Sequence, residues 1–481
     1  MNLLPRDMTG RDAGALVLHP APHLRTGAGA HGWRRQLMGM ALGWPYVDTA
    51  TLFILRRVFF KASRMWAAAH VAGGSPEAFC AAVPMEARLA DKRHLTAALA
   101  RFEEARARAT AVEAAWEVAF FGEAAASPAQ LAALEAARLD ARAALNGTRA
   151  RFGRYLWRDI ARVRLATQTP AEVDAIYGAA LDDCRPFVAP PSPLPPVAVS
   201  RAIPGTIGRD TWIRFKSPSA RLGDVVTARV HEPPGVANPP TIILGHGICI
   251  EFDHWRGLVD ETDELVRRGF RVIRPEAAWH GRRTRTGFYG GEEIVASFPM
   301  GSLDAFTGAL QEWAVIADWA KRTSSGPLTM GGTSLGAQMA QLAATHARDW
   351  PERLRPQALL LITHCGSLAD AVLHGAIPAI FGSAADIAAK GWTPERVAPY
   401  MALLDPLRTP PIPAERIVSV LGRRDVITPF TSGEPLVRDW GLPAENEFIL
   451  DRGHFSVPMT LIRNASAIDR FAAIVRGLAT G

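Results

Sequence analysis

The stretch that most limits what this chain can fold into is Gly332-Thr333-Ser334-Leu335-Gly336. It is a G-x-S-x-G pentapeptide between a short apolar run, Pro327-Leu328-Thr329-Met330, and an Ala-rich run containing Ala337, Met339, Ala340, Leu342 and Ala343. A strand, a sharp turn and a helix in that order are what a nucleophile elbow requires. Glycines flank the serine because strand and helix nearly touch there and leave no room for a Cβ. Ser334 would then stand at a helix N-terminus, where backbone N–H groups favour developing negative charge. Alone, the pentapeptide is equally compatible with a tight turn that does no chemistry.

A serine hydroxyl is a weak nucleophile at neutral pH and needs a base, which in turn needs an acid to orient it. Ile417-Val418-Ser419-Val420-Leu421 is a β-branched run ending in Gly422-Arg423-Arg424-Asp425, which places Asp425 in a loop beyond a strand. Phe448-Ile449-Leu450 is another short strand, followed by Asp451-Arg452-Gly453-His454, so His454 occupies the next such loop. Asp405 is the fallback acid, but it precedes a proline and lies before the relevant strand. Upstream, Thr241-Ile242-Ile243-Leu244 leads as a buried strand into Gly245-His246-Gly247-Ile248. The N–H groups of Leu335 and Ile248 are the expected oxyanion donors. His246, Gly247 and Thr333 are the expected substrate-binding residues beside them.

The order Ser, Asp, His, together with His246-Gly247, the elbow, Gly422-x-x-Asp425 and Gly453-His454, resembles the α/β-hydrolase superfamily over roughly Asp224 to Gly481. The Arg274-Pro275-Glu276 to Trp279-His280-Gly281 loop looks like that of esterase-like members. The helical N-terminal part and the stretch through His254-Trp255-Arg256 are similar to the branch of α/β-hydrolase domain-containing protein 18. The resemblance implies a serine hydrolase with Ser334 as nucleophile, His454 as base and Asp425 as acid, acting on a small-molecule acyl ester through an acyl-enzyme. Acyl transfer, thioester cleavage and amide cleavage use the same groups, and a non-catalytic scaffold binding a partner or membrane surface through its helical part is the reading from a different class.

The expected fold is therefore an α/β-hydrolase fold, a doubly wound and mostly parallel sheet, preceded by an all-helical N-terminal region. Residues 1–30 read as a loosely ordered leader, 31–185 as a helical domain, 186–205 as a Pro-rich linker and 206–481 as the catalytic domain. Ser75-Pro76, Ser127-Pro128-Ala129-Gln130 and Thr169-Pro170-Ala171-Glu172 mark helix starts, the last two as capping boxes. Leu95, Leu99 and Phe102 share one face, as do Leu131, Leu134, Ala141 and Leu145, which gives a long helical hairpin; its Glu and Arg content reads as an exposed arm. The proline run Pro190 to Pro196 reads as a semi-rigid spacer. About 50 residues separate the Leu359 and Ile417 strands, room for a lid over about 366–412, from which Ile377 and Phe381 would line an apolar pocket.

Other chemistries find no support. A P-loop and H-E-x-x-H are missing, and Gly245-His246-Gly247, although it follows a strand, lacks the third glycine of a dinucleotide fingerprint because position 250 is Ile, so no cofactor or metal is expected. Cys80, Cys184, Cys249 and Cys365 are scattered, which fits a reduced cytoplasmic setting, with Cys249 a packing residue. A formal charge of +7 could suggest nucleic acid, but the arginines are interleaved with acids and no recognition motif accompanies them, so nucleic acid is not an expected partner. The start Met1-Asn2-Leu3-Leu4-Pro5-Arg6 lacks the apolar region of a signal peptide. Leu37 to Leu55 is apolar between Arg34-Arg35 and Arg56-Arg57 but contains Pro45 and Asp48; it reads as a helix packed on the catalytic part, with peripheral membrane contact as the alternative. Contact through the helical hairpin would make a homodimer.

Overall fold

The structure is a computed structural model, and it describes residues 45–83, 89–123, 125–249, 261–461 and 464–480. The expected leader, residues 37–44 and His254-Trp255-Arg256 lie outside them. The N-terminal part is helical. Helix α1 (Pro45–Ile54) runs through one π-type turn (Leu55–Phe59) into α2 (Phe60–Ala72), and a hairpin follows from α3 (Leu89–Phe121) and α4 (Pro128–Gly147). Ser127 caps α4 by accepting from Gln130 N–H while the Gln130 side chain accepts from Ser127 N–H, and Thr169 with Glu172 does the same for Pro170–Asp182. Both capping boxes stand where the sequence puts them.

The remainder is built on one sheet. Its strands are β1 (Ala198–Val199), β2 (Ile203–Pro204), β3 (Arg209–Lys216), β4 (Val225–Glu232), β5 (Thr241–Gly245), β6 (Arg271–Pro275), β7 (Leu328–Thr333), β8 (Leu359–Ile362), β9 (Ile417–Gly422) and β10 (Glu447–Leu450). The order is β1-β3-β4-β6-β5-β7-β8-β9-β10, with β2 also on β3. Strands β6 through β10 are mutually parallel, while β1 to β4 join antiparallel at one edge. The inner strands β5 and β8 are buried along their whole length, as helices on both faces require. Alternation divides their side chains: Ile243, Leu359 and Leu361 join the core under α5 (Met300–Thr323) and α6 (Leu335–Ala347), whereas Ile242, Leu244 and Leu360 meet Phe471 and Val475 of the C-terminal helix Ser466–Thr480. The sheet is doubly wound and mostly parallel, as expected.

Three features differ from the sequence reading. The hairpin is not an exposed arm. Glu135 and Arg138 of α4 are buried, and Glu135 accepts from Arg138 and from Arg229 of β4, which also binds Asp210 of β3 at 2.6 Å. Trp116 and Phe120 of α3 pack edge-to-face on Trp212 of β3. Alternating Glu and Arg look like a solvated face in sequence, but charges paired across an interface tolerate burial. Secondly, the expected spacer holds β1 and β2, so the sheet begins within it. Thirdly, the helical part shares a core with the rest: Phe60, Met65, Trp66 and Phe102 pack with Tyr289, Val295, Phe381 and Ile427. A buried ion pair, Arg64 to Glu292 at 2.7 Å, crosses the same seam.

Candidate active site

All parallel strands point their carboxyl ends to one edge, and among the described residues the loops leaving β5, β6, β7 and β8 each contain one non-glycine residue at positive φ: Cys249 (60°), Trp279 (61°), Ser334 (57°) and Thr363 (49°). Such backbone is costly for residues with a Cβ and gathers where geometry is constrained by function. Ser334 occupies the turn between β7 and α6. The turn is possible because Gly245, Gly332 and Gly336 meet: a Cβ on Gly336 would lie 2.1 Å from the Gly245 carbonyl carbon, and one on Gly332 would lie 2.5 Å from that of Gly336.

Ser334 Oγ lies 2.9 Å from His454 Nε2, and His454 Nδ1 lies 2.8 Å from Asp425 Oδ2. A carboxylate only accepts, so Nδ1 carries the proton and Nε2 is left to accept from the serine. The other Asp425 oxygen accepts from Ile427 and Thr428 N–H at 2.8 and 3.0 Å. Thr428 Oγ1, which the sequence reading missed, is 2.8 Å from Asp425 Oδ2 and 3.2 Å from His454 Nδ1. Its only sequence signal is its place three residues after the aspartate in the same loop. Asp405 is engaged elsewhere: it accepts from Leu368 N–H, and burial pushes its carboxyl up to about 6.

Leu335 opens α6, and the first N–H groups of a helix have no intrahelical acceptor. In the β5 loop, Cys249 N–H donates to His280 Nε2 at 2.9 Å, while Ile248 N–H makes no backbone hydrogen bond among the described residues. Burial pushes the Cys249 thiol far above its ordinary range, as befits packing.

His246 does different work from that expected. Its Nε2 accepts from Ala277 N–H at 3.1 Å and its Nδ1 donates to the Gly247 carbonyl at 2.9 Å. Burial, then the neighbouring His280, holds it well below the usual histidine range, so it is a neutral brace between the loops after β5 and β6. Gly247 is thereby tied to that brace. Thr333 directs its hydroxyl to Glu261 at 3.1 Å. Ile377 and Phe381 lie in the insertion between β8 and β9, where the Phe381 ring packs tilted against that of Phe60 of α2, with centroids 4.6 Å apart. Their apolar cluster takes in Ile248, Ile427 and Phe455, each in the loop of a candidate site residue. The insertion is tied to the helical part by Trp392 Nε1 to Gln168 O at 2.7 Å and Tyr400 OH to Asp174 at 3.0 Å. Ser334, Asp425 and His454 are all buried.

Among the described residues, no group of His, Cys, Asp and Glu is arranged to hold a metal ion, and no helix is long and apolar enough to cross a membrane. No family model matches the chain, nor does any curated protein. Solved structures similar to it include acetyl xylan esterase 1 from Thermoanaerobacterium sp. JW/SL YS485, at 15% identity and TM-score 0.41 over 65% of this chain and 96% of that one. A Pyrobaculum calidifontis esterase matches at 16% identity and TM-score 0.36 over 65% and 94%. A cold-adapted esterase from an Arctic intertidal metagenomic library matches at 18% identity and TM-score 0.35 over 56% and 93%. The strand order, the glycine-lined elbow after β7 and the succession Ser334, Asp425, His454 on post-strand loops give the chain the α/β-hydrolase fold.

Proposed function

We propose that this protein is a serine hydrolase that cleaves carboxylic ester substrates through an acyl-enzyme. The observation that carries the reading is the unbroken line of hydrogen bonds from Ser334 through His454 to Asp425. In the first half-reaction the Ser334 hydroxyl passes its proton to His454 Nε2 as Oγ bonds to the ester carbonyl carbon. The carbonyl oxygen becomes an oxyanion held by the N–H groups of Leu335 and Ile248, and Asp425 stabilises the imidazolium. Collapse breaks the bond to the alkoxy oxygen, which takes the proton from Nε2 and departs as alcohol. In the second half, water gives a proton to Nε2 and its oxygen attacks the acyl carbon; collapse returns the proton to Ser334 and releases the acid.

Ile248, Ile427 and Phe455 supply apolar surface suited to the acyl part, with Phe381 and Ile377 behind them. The four cysteines are unpaired, which fits the cytoplasmic setting we propose. The test is a pre-steady-state assay with p-nitrophenyl esters. A burst of p-nitrophenol equal to the enzyme concentration is expected from the wild type and none from Ser334→Ala; a burst that persists in the variant would overturn the assignment.

A further inference from the structure

The loop that carries His454 is short of internal support. It leaves β10 at Leu450 and enters the helix α7 (Ser456–Leu461), so its N–H groups at 453, 455 and 456 find no helical partner. All three donate to one carboxylate from far away in the chain, with the Gly453 N–H shared with the Ser456 hydroxyl oxygen at 3.1 Å. Asp48 of α1 accepts from Phe455 N–H at 2.8 Å and Ser456 N–H at 3.3 Å through Oδ1, and from Gly453 N–H at 3.3 Å through Oδ2, which also receives the Ser456 hydroxyl. Asp48 is buried, and the fit is close enough to dictate its neighbour: a Cβ on Gly453 would lie 2.4 Å from the Asp48 carboxyl carbon.

We propose that Asp48 is a positioning residue for His454, so that the helical N-terminal part is a working component of the active site. The inference rests on the serine hydrolase reading above. The bonds fall on both sides of His454, at 453 and at 455 and 456, and therefore fix the segment whose ring must hold Nε2 at 2.9 Å from Ser334 Oγ. Ser456 alone cannot do this, since its hydroxyl reaches Gly453 only within the loop. Removing the carboxylate leaves the Phe455 and Ser456 N–H groups without that acceptor and Gly453 N–H with the Ser456 hydroxyl, and the loop must shift to rehydrate them. Displacement of a catalytic base by about 1 Å costs on the order of 100-fold in rate. Asp48 touches neither the substrate nor the Ser334 hydroxyl, and it acts through the backbone.

The experiment compares the wild type, Asp48→Ala, Ser456→Ala and Phe53→Ala, the last an exposed residue on the same helix. Active sites are counted by p-nitrophenol burst, folding is followed by circular dichroism, and kcat and KM are measured with a p-nitrophenyl ester. Asp48→Ala should lower kcat per active site by about 10- to 100-fold with KM within about twofold, and slow fluorophosphonate labelling in parallel. Ser456→Ala, which removes one donor to Asp48 and one acceptor of Gly453 N–H, should lower kcat several-fold, and Phe53→Ala should match the wild type. A merely structural Asp48 would lower the melting temperature and leave kcat per active site unchanged, and that result in folded Asp48→Ala overturns the proposal. If Asp48→Ala does not fold, Ser456→Ala decides in the same way. A wild type with neither burst nor labelling refutes the hydrolase reading itself, an outcome distinct from an active wild type with an indifferent Asp48.

Discussion

Asp425 uses both oxygens fully: Oδ1 accepts two loop N–H groups, and Oδ2 faces the Thr428 hydroxyl and His454 Nδ1. In Asp425→Asn the two N–H groups keep the amide oxygen at Oδ1, which turns the NH₂ towards His454. The imidazole must then accept at Nδ1 and carry its proton on Nε2, where it cannot receive the serine proton. The expected loss in kcat is on the order of 10³- to 10⁴-fold with an unchanged circular dichroism spectrum; a folded variant retaining a tenth of wild-type kcat would contradict the assignment. Residues that follow a strand within one loop were legible from sequence, as Ser334, Asp425 and His454 illustrate. Asp48 was not, because its partners lie 405 or more residues away and no local pattern encodes them. His246 stood in the right loop, yet its side chain turns to Ala277 N–H, a partner the sequence does not reveal.

At the scale of elements, helix starts were readable because a capping box is satisfied within four residues, as at Ser127 and Thr169. Inner strands were readable because β5 and β8 are short continuous apolar runs. The strand β3 was not, since Arg209-Asp210-Thr211-Trp212 mixes charge with bulk, and Asp210 is buried with Arg229 and His231 bound to it. The face of α4 was misread for the same reason: only the tertiary structure supplies Arg229 to Glu135. Glu135→Ala leaves Arg138 and Arg229 short of a partner in a buried seam. It is expected to destabilise by about 3 kcal/mol, as removal of one member of a buried pair does. Urea unfolding checks this, and a change under about 0.5 kcal/mol, the range of ordinary surface substitutions, would contradict it.

Across the whole molecule, the helical part and the sheet are joined by a common apolar core, by Arg64 with Glu292 and by Asp48 with the His454 loop. That union explains why a division of the chain at the proline run, natural from composition, does not describe how the core is distributed. It also gives stability a pH dependence. Beside Glu292, Glu293 is buried with Oε1 on Arg285 at 3.1 Å and Oε2 without a hydrogen-bond partner among the described residues. Burial raises its carboxyl from 4.5 to about 7, against the opposing pull of Arg285. Between those values the folded state holds a proton that the unfolded chain has released, so this group's contribution is fully present below 4.5 and is lost as pH rises through 7. Glu293→Gln should therefore show a smaller fall in melting temperature from pH 5 to about 8 than the wild type. Identical profiles in calorimetry would count against a buried, protonated Glu293.

The most direct test of the account is to treat the purified wild type and Ser334→Ala with a fluorophosphonate probe and locate the adduct by mass spectrometry. Covalent labelling at Ser334, abolished in the variant, is the expected result. A well-folded wild type that remains unlabelled, or an adduct on another serine, would contradict the central claim that the Ser334, His454 and Asp425 line activates a nucleophile.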